Sequence, residues 1–175
     1  GYIDLGVTTQ NLPIETIKSY VDEWAEMGVA GIFLDDAGRD FGVDRDRLCY
    51  AVKYVHDKGL SMFVNAWNPD DVFADDPPGT PTCLREGDWY LAESHPASND
   101  QCGALDFWWE KSKRLLCYRH QTGVSIATMS TGDDSSCSDW PNCPPFRQAL
   151  WATYLFGFDA FGFTNPQYSA YGDSV

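Results

Sequence analysis

Six short apolar segments of this sequence each end in polar or aromatic side chains. Asp35 and Asp36 follow the segment at residues 31–34, and Glu93 follows the segment at residues 89–92. Paired carboxylates can act as general acid and as base or nucleophile in glycoside hydrolysis, so these three are the candidate catalytic residues. Side chains that could hydrogen-bond to a sugar or stack on it lie near the ends of other segments: Asp4, Asn65, Trp67, Asn165 and Tyr168.

The Asp35–Asp36 pair has two interpretations. Adjacent residues of a strand point to opposite faces, so one of the two carboxylates points into a site at the strand end. Because neighbouring carboxylates repel each other, one of them is suited to hold a proton as a general acid. The alternative is that one of them caps the following turn. Glu93 and Trp67 also have alternatives, as a salt-bridge partner in a loop and as a packing residue.

These side chains need a scaffold that brings the ends of several strands together. The apolar runs predict strands at residues 2–5, 30–34, 60–66, 89–92, 124–129 and 158–163. Helical spacing predicts helices at residues 13–27, 44–58, 104–120 and 146–156, and a long loop with one helical turn at 68–82. This alternation is typical of an α/β fold with a parallel sheet and right-handed crossovers. No linker interrupts it, which predicts one domain over residues 1–175.

Two architectures fit the alternation, an open doubly wound sheet and a closed (β/α)₈ TIM barrel. Open sheets that bind nucleotides have a glycine-rich first turn, which residues 6–9 lack. Six β/α units in 175 residues amount to about 29 residues each, so eight would need about 233, close to the ~250 of a complete barrel. The sequence therefore predicts a TIM-barrel-type fold with about six units. Since residue 2 already lies in a strand, we expect one or two N-terminal units to be missing.

The charge balance excludes several classes of partner. The chain has 12 Lys and Arg against 26 Asp and Glu, a net charge of −14. Nucleic acids and anionic membrane surfaces would repel such a chain, and no stretch of the sequence approaches the ~20 apolar residues of a membrane span. Its 7 Trp, 9 Tyr and 10 Phe exceed what a core of this size needs. Rings that stack on sugar faces are one common use, so a polysaccharide is the expected partner.

The six cysteines favour an oxidising, extracellular compartment with one or two disulfides in loops over a reduced cytosolic chain. Cys137 and Cys143 flank a short segment that a disulfide could close. Cys49 and Cys117 lie in helical patterns and are predicted to be buried free thiols. The sequence starts at Gly1 rather than Met, so we expect a processed chain or a fragment.

The sequence predicts no metal site and no cofactor. The cysteines form no C-x-x-C pair, and the three histidines are scattered. His56 and His120 lie near helix ends, where surface roles are expected, and His95 lies two residues after Glu93. Four aspartates of the long loop lack the spacing of an EF-hand and are predicted to be solvated: Asp70, Asp71, Asp75 and Asp76.

Three stretches carry a resemblance to a known family. They are GYIDLG at residues 1–6, the helix containing Ile14, Ile17 and VDEW at 21–24, and VAGIFLDD at 29–36. They resemble the spherulation-specific family 4 (spherulin-4-like) proteins, which are related to the secreted endo-α-1,4-galactosaminidase and polygalactosaminidase TIM-barrel glycosidases. The likeness is good over residues 1–66 and weaker through Glu93.

The resemblance implies an extracellular hydrolase that acts on galactosamine-containing polysaccharide. The first two strands look like the third and fourth strands of the family's barrel, which agrees with units missing upstream. The family's fourth strand typically ends in Asp-Glu, so its roles fall on Asp35 and Asp36, and its later glutamate on Glu93. Asp36 departs from the family pattern, because its side chain is one methylene shorter than that of Glu.

The departure at Asp36 keeps a second function open. The chain could be a non-catalytic extracellular structural or carbohydrate-binding protein, such as a surface-layer or filament subunit, on a hydrolase scaffold. The missing units would leave two sheet edges open, and such edges are templates for self-association.

Overall fold

The computed structural model describes residues 1–98, 101–102, 105–132 and 142–165. The chain divides into two compact units. The first contains residues Gly1–Leu91 and Cys117–Ser125, and the second contains Ala92–Leu116 and Ile126–Val175. Each unit is described separately below.

In the first unit, strands alternate with helices, and the four strands are parallel and neighbour one another in chain order. The elements are β1 (Tyr2–Asp4), α1 (Ile14–Glu26), β2 (Gly31–Asp35), a 3₁₀ turn (Arg39–Phe41), α2 (Arg45–Asp57), β3 (Ser61–Asn65), α3 (Pro69–Phe73) and β4 (Trp89–Ala92), whose last residue belongs to the second unit.

Local sequence signals set the ends of these helices. Asp44 caps α2, since its carboxylate accepts the backbone N–H of Arg47 at 2.8 Å. Asn68 caps α3 in the same way, and Pro69 occupies the first helical position. Gly28 and Gly59 follow α1 and α2 with φ of +78° and +75°, a conformation that glycine adopts at no steric cost.

One face of the four-stranded sheet is fully buried. Alternate strand residues lie on it and are at most 1% exposed: Ile3, Ile32, Leu34, Met62, Val64 and Tyr90. The helices of the same unit contribute further buried apolar side chains to this core, among them Ile17, Val21, Leu48, Val52 and Val55. Burial of this apolar surface is the main stabilising contribution to the unit. The remaining strand residues lie on the opposite face and carry the candidate site.

The outer edge of β1 is partly covered by a side chain of its own unit. The indole Nε1 of Trp24 donates a hydrogen bond of 3.3 Å to the backbone oxygen of Tyr2. An unpaired strand edge is a template for another strand, and a side chain that occupies a backbone acceptor makes such pairing harder. Self-association through the barrel edges stays a prediction.

The second unit contains a short antiparallel hairpin and a parallel pair of strands. Its elements are β5 (Ala97–Ser98), β6 (Gln101–Cys102), α4 (Leu105–Thr122), β7 (Ser125–Thr131), α5 (Pro144–Leu155) and β8 (Ala160–Thr164). The last residues of α4 and the first residue of β7 belong to the first unit. The sequence did not predict the hairpin, because strands of two residues are too short to show a hydrophobic period.

All six predicted strands and all four predicted helices are present, with ends shifted by at most two residues. The strands pair in parallel within each unit, four in the first and two in the second, so the α/β class is confirmed. This arrangement is consistent with part of a (β/α) barrel. Closure of the barrel, the missing N-terminal units and the single domain stay predictions. No helix in the described part of the chain has the length and apolar character that a membrane span needs.

The cysteine pairing differs from the prediction. Cys49 forms a disulfide with Cys83 instead of being a buried free thiol, because the loop after α3 returns to α2 and brings the two Cα atoms within 5.4 Å. Cys117 is a free thiol, as predicted, but it is exposed. Cys143 is also disulfide-bonded, and Cys137 lies outside the described residues.

Candidate functional site

Asp35 is held at the end of β2 by three hydrogen-bond donors. Its Oδ2 accepts the hydroxyl of Tyr2 at 3.0 Å, and its Oδ1 accepts the amide Nδ2 of Asn65 and the backbone N–H of Asp36, both at 3.0 Å. Tyr2 comes from β1 and Asn65 from β3, so the two neighbouring strands of the sheet fix the carboxylate between them. The side chain of Asp35 is half-buried. An acidic group held in one orientation and still open to solvent is suited to act on a bound substrate.

A row of aromatic rings lies on the same face of the sheet as this carboxylate, two residues earlier along the strands. The strand register places Tyr2, Phe33, Phe63 and Trp89 side by side across β1 to β4. Their successive ring centroids are 5.9, 5.1 and 6.4 Å apart, and all four side chains are half-buried. The sequence did not single out Tyr2. The sequence contained the information, because Tyr2 lies two positions before Asp4 on the same strand and the two side chains must therefore share one face of the sheet.

Asp36 begins a turn and is not the last residue of the strand. Its φ is +53°, in the left-handed region, and the next residue, Ala37, donates its N–H to the backbone oxygen of Asn65 at 2.9 Å. A non-glycine residue in this region is uncommon and typical of functional turns. Asp35 is therefore the last residue of β2 and is oriented by the neighbouring strands, and Asp36 lies in the turn after it.

The predicted sugar-binding residues of the first unit have different environments. Asp4 is 4% exposed, and its Oδ1 accepts the N–H of Gly6 at 2.8 Å and the hydroxyl of Thr9 at 2.6 Å, so it holds the turn after β1. Asn65 is 9% exposed and orients Asp35. Trp67 follows β3 and is 52% exposed. Among these three, Trp67 offers the most surface to a ligand.

The loops beside Asp35 are fastened by arginines of the same unit. Arg47 of α2 donates to the backbone oxygens of Leu5 and Leu12, both at 2.8 Å, which fixes the loop after β1. Arg45 is buried and donates to the backbone oxygens of Asp71 and Ala74 at 3.0 and 2.8 Å, which fixes the loop after β3.

Ion pairs of Arg39 and the Cys49–Cys83 disulfide also hold the loop after β3 in place. Arg39 forms ion pairs with Asp71 and Asp76. Since two of the four loop aspartates pair with a cation, they are not the fully solvated cluster that the sequence predicted.

In the described ranges of the chain, no group of three or more His, Cys, Asp or Glu is placed to hold a metal ion.

Glu93 belongs to the second unit and starts a turn that resembles the one after Asp35. The residue after it, Ser94, has φ of +51°, and the next residue, His95, donates its N–H to the backbone oxygen of Met129 at 2.9 Å. Both candidate carboxylates thus precede a left-handed residue whose successor bonds to another strand. The spacing of Glu93 from Asp35 involves the two units, and their pairing stays a prediction.

His95 is a buried support of that turn. It is 1% exposed, its Nε2 lies 2.8 Å from the hydroxyl of Ser112, and its backbone oxygen accepts the hydroxyl of Ser130 at 2.8 Å. Burial, together with the positive charge of Lys111, lowers the pKa of His95 to about 3. The ring is therefore neutral at the pH values at which most hydrolases work, and it cannot serve as an acid there.

Two further predicted residues belong to the second unit. Asn165 directly follows β8 and is exposed. Tyr168 lies outside the described residues, so its sugar-binding role stays a prediction.

His56 was expected at the surface, and that expectation is wrong. Its side chain is 9% exposed, and its Nε2 lies 2.9 Å from Oδ1 of Asp88, which is itself 2% exposed. Asp88 also accepts the N–H groups of Met62 and Arg85. This cluster precedes β4, at the opposite strand ends from Asp35, and its hydrogen bonds to backbone N–H groups on both sides indicate a structural role.

Comparison with known proteins identifies the fold of the chain and no family. No protein-family model matches the sequence, and no curated protein matches it. Among solved structures, the glycoside hydrolase domain of PelA from Pseudomonas aeruginosa matches with a TM-score of 0.63 and 17% identity, over 94% of this chain and 77% of that one. The membership in the spherulin-4-like family stays a prediction.

Two other structures match with lower scores. The cellulose synthase subunit Z (CcsZ) from Clostridioides difficile has a TM-score of 0.52 and 9% identity, over 98% of this chain and 67% of that one. The carboxyl transferase domain of Rhizobium etli pyruvate carboxylase, solved with 3-bromopyruvate, has a TM-score of 0.53 and 14% identity, over 93% of this chain and 26% of that one. One fold hosts several chemistries. At these identities the likeness shows that the chain has the α/β fold of these proteins, the PelA glycoside hydrolase domain among them.

Proposed function

We propose that this protein is an extracellular glycoside hydrolase that cleaves galactosamine-containing polysaccharide with Asp35 and Glu93 as its paired carboxylates. One carboxyl group protonates the glycosidic oxygen, while the other acts as nucleophile or activates water at the anomeric carbon. A separation of ~5–5.5 Å between the two groups would give retention of configuration, and ~6.5–9.5 Å would give inversion.

The observation that carries this proposal is the setting of Asp35. A half-buried carboxylate at the end of a parallel strand, oriented by Tyr2 and Asn65 and lying above a row of aromatic rings, combines an acidic group with apolar surface. Parallel α/β enzymes place their catalytic groups at these strand ends. In addition, Trp67 is 52% exposed at the next strand end, and exposed aromatic rings can stack on sugars.

The fold and the charge support the choice of substrate. The glycoside hydrolase domain of PelA shares the fold, and the net charge of −14 attracts a polymer with free amino groups. The Cys49–Cys83 disulfide is typical of proteins outside the reducing cytosol, which supports an extracellular location.

Sugar release from an α-1,4-galactosamine polymer tests the proposal. We expect the wild-type protein to generate reducing ends, and we expect Asp35→Asn and Glu93→Gln to lower the rate by at least ~10³-fold, because each removes one of the two reacting groups. Asp57→Asn, an exposed carboxylate paired with Lys53, is the matched control and should retain full activity.

Two results would contradict the proposal. Asp35→Asn could release sugar as fast as the wild type, or the wild type could release none. In the second case, binding of the polymer without cleavage would favour the alternative of a non-catalytic carbohydrate-binding or structural protein. Concentration-dependent self-association would identify an assembly subunit within that alternative.

A further inference from the structure

Helix α5 of the second unit carries its large apolar side chains on its outer face. The residues that it buries are small: Pro145, Ala149, Ala152 and Thr153. The hydroxyl of Thr153 lies 2.6 Å from that of Thr128 on β7, so this is the face that packs on the strands. The exposed residues are large: Leu150, Trp151, Tyr154 and Leu155, at 38, 54, 72 and 77% exposure. A helix of a globular protein normally buries its large apolar residues, so the outer face of α5 indicates a binding surface.

Aromatic contacts connect this face to α4. The rings of Trp151 and Tyr154 lie edge to face, with centroids 5.8 Å apart. Phe156, which directly follows α5, contacts the ring of Trp109 of α4 at 5.1 Å, and Trp109 is 47% exposed. We call the five exposed side chains the α5 surface: Trp109, Leu150, Trp151, Tyr154 and Leu155.

The α5 surface is large enough for a specific contact with a protein. An aromatic side chain offers about 150–250 Å² in full, so the exposed fractions of the five residues amount to on the order of 500 Å². The largest apolar patch of a typical monomer covers about 300–600 Å² and is often functional. A standard interface takes about 800 Å² from each partner, of which somewhat more than half is apolar. The α5 surface is therefore sufficient for the apolar part of one side of such an interface.

The charge distribution favours a second copy of this chain as the partner. Each chain has a net charge of −14, so two copies repel each other unless they meet at a surface without carboxylates. Residues 140–158, which include α5, contain no Asp or Glu and a single charged residue, Arg147. Two copies can therefore approach each other at this helix without bringing their acidic groups together.

The chemistry of the α5 surface fits a protein better than a sugar polymer. Leu150 and Leu155 have neither a flat ring to stack on a sugar nor a group to hydrogen-bond its hydroxyls. Aliphatic and aromatic side chains of a second copy match them, and a two-fold axis brings the same surface of both copies together.

We propose that this protein forms a two-fold symmetric dimer in which the α5 surface of one copy packs against the α5 surface of the other. The inference goes beyond the proposed function and does not depend on it. It also assigns self-association to a helix face, whereas the sequence predicts it at open sheet edges.

The first test measures the molecular mass by sedimentation velocity between about 1 and about 100 µM, because interfaces of standard size bind with micromolar or tighter affinity. We expect the wild type to reach twice the 19.6 kDa of one chain. Tyr154→Lys should weaken the dimer at least ~30-fold, since it places an ammonium group in the apolar contact. Circular dichroism checks that this variant is folded.

Met27→Lys is the matched control for this test. Met27 follows α1 in the first unit and is 72% exposed, the same fraction as Tyr154. Both substitutions add one positive charge to an acidic chain, so both reduce the overall repulsion between copies equally. A weaker dimer in Tyr154→Lys alone would therefore come from its position on the α5 surface.

The second test locates the contact in the wild-type protein by oxidative footprinting with mass spectrometry. Oxidation of Trp151 and Tyr154 should fall in proportion to the fraction of dimer as the protein concentration rises. Trp67 of the first unit, which is 52% exposed against 54% for Trp151, is the internal control and should be oxidised equally at all concentrations.

Three results would overturn the proposal. The wild type could remain monomeric over the whole concentration range, or Tyr154→Lys could dimerise as well as Met27→Lys. A dimer could also form without protection of Trp151, which would place the contact on another surface, such as a sheet edge. Neither test uses sugar release, so the dimer and the hydrolase function stand or fall separately.

Discussion

At the scale of single residues, the setting of Asp35 can be tested through Tyr2. Tyr2→Phe removes the hydroxyl that donates to Oδ2 of Asp35 and keeps the aromatic row intact. We expect a fall in kcat of about tenfold, and a loss of about 1 kcal/mol or less in the free energy of unfolding, which is typical of one hydrogen bond. Tyr20→Phe, on an exposed tyrosine of α1, should change neither quantity. Equal effects of the two substitutions would argue against a role of Tyr2 in orienting Asp35.

A second residue-scale prediction concerns His95 and pH. Its pKa is about 3 in the folded protein, against 6.5 for an unperturbed histidine. Above pH 6.5 the ring is neutral in both the folded and the unfolded state and has no effect on the pH dependence of stability. As the pH falls from 6.5 towards 3, the unfolded state takes up a proton that the folded state does not, so the folded state loses about 1.4 kcal/mol per pH unit.

The measurement is urea unfolding of the wild type and of His95→Gln between about pH 4.5 and about pH 7.5. The variant should be less stable than the wild type at neutral pH, because the ring packs in a buried place. Its free energy of unfolding should decline less steeply towards acid. Parallel pH curves for the two proteins would show that His95 takes up protons equally in both states.

At the scale of elements, the loop after β3 depends on tertiary cross-links more than on its own conformation. It is fixed by Arg39, by Arg45 and by the Cys49–Cys83 disulfide, which closes 34 residues. The loop contains the short helix α3 and lies next to the strand end that carries Trp67. A loop fixed in this way keeps the wall of the site in place.

Removal of this disulfide should destabilise the protein. For a loop of this length, the double substitution Cys49→Ser with Cys83→Ser should lower the free energy of unfolding by about 4 kcal/mol, through the larger entropy of the unfolded chain. It should also expose the loop to proteases. Cys117→Ser, which changes an exposed free thiol, is the control and should shift stability by less than ~0.5 kcal/mol. A double variant as stable and as protease-resistant as the wild type would contradict the assigned role of the cross-link.

At the scale of the whole molecule, the net charge of −14 governs encounters with charged polymers. If the ligand carries free amino groups, its affinity should fall when the salt concentration rises from about 0.05 M to about 0.5 M, because screening shortens the range of the attraction. An N-acetylated polymer of the same length has no such charges, and its affinity should change little. Equal salt dependence for the two polymers, measured by calorimetry, would argue against recognition of the amino group.

The sequence alone determined the secondary-structure elements and the strand ends at which the candidate catalytic residues lie. Apolar runs and helical spacing depend on neighbours along the chain, so the α/β class, the six strands and the positions of Asp35 and Glu93 at the ends of β2 and β4 follow from local patterns. The left-handed turns after both carboxylates do not follow from such patterns, because aspartate and serine adopt that conformation only where the surroundings require it.

The tertiary structure decided which distant side chains meet. Four of these contacts join residues about 30 positions or more apart: Tyr2 with Asp35, Asn65 with Asp35, Cys49 with Cys83, and His56 with Asp88. Only the third donor on Asp35, the N–H of Asp36, is a neighbour in sequence. No local period encodes such contacts, since they arise when parallel strands and their crossover helices pack together.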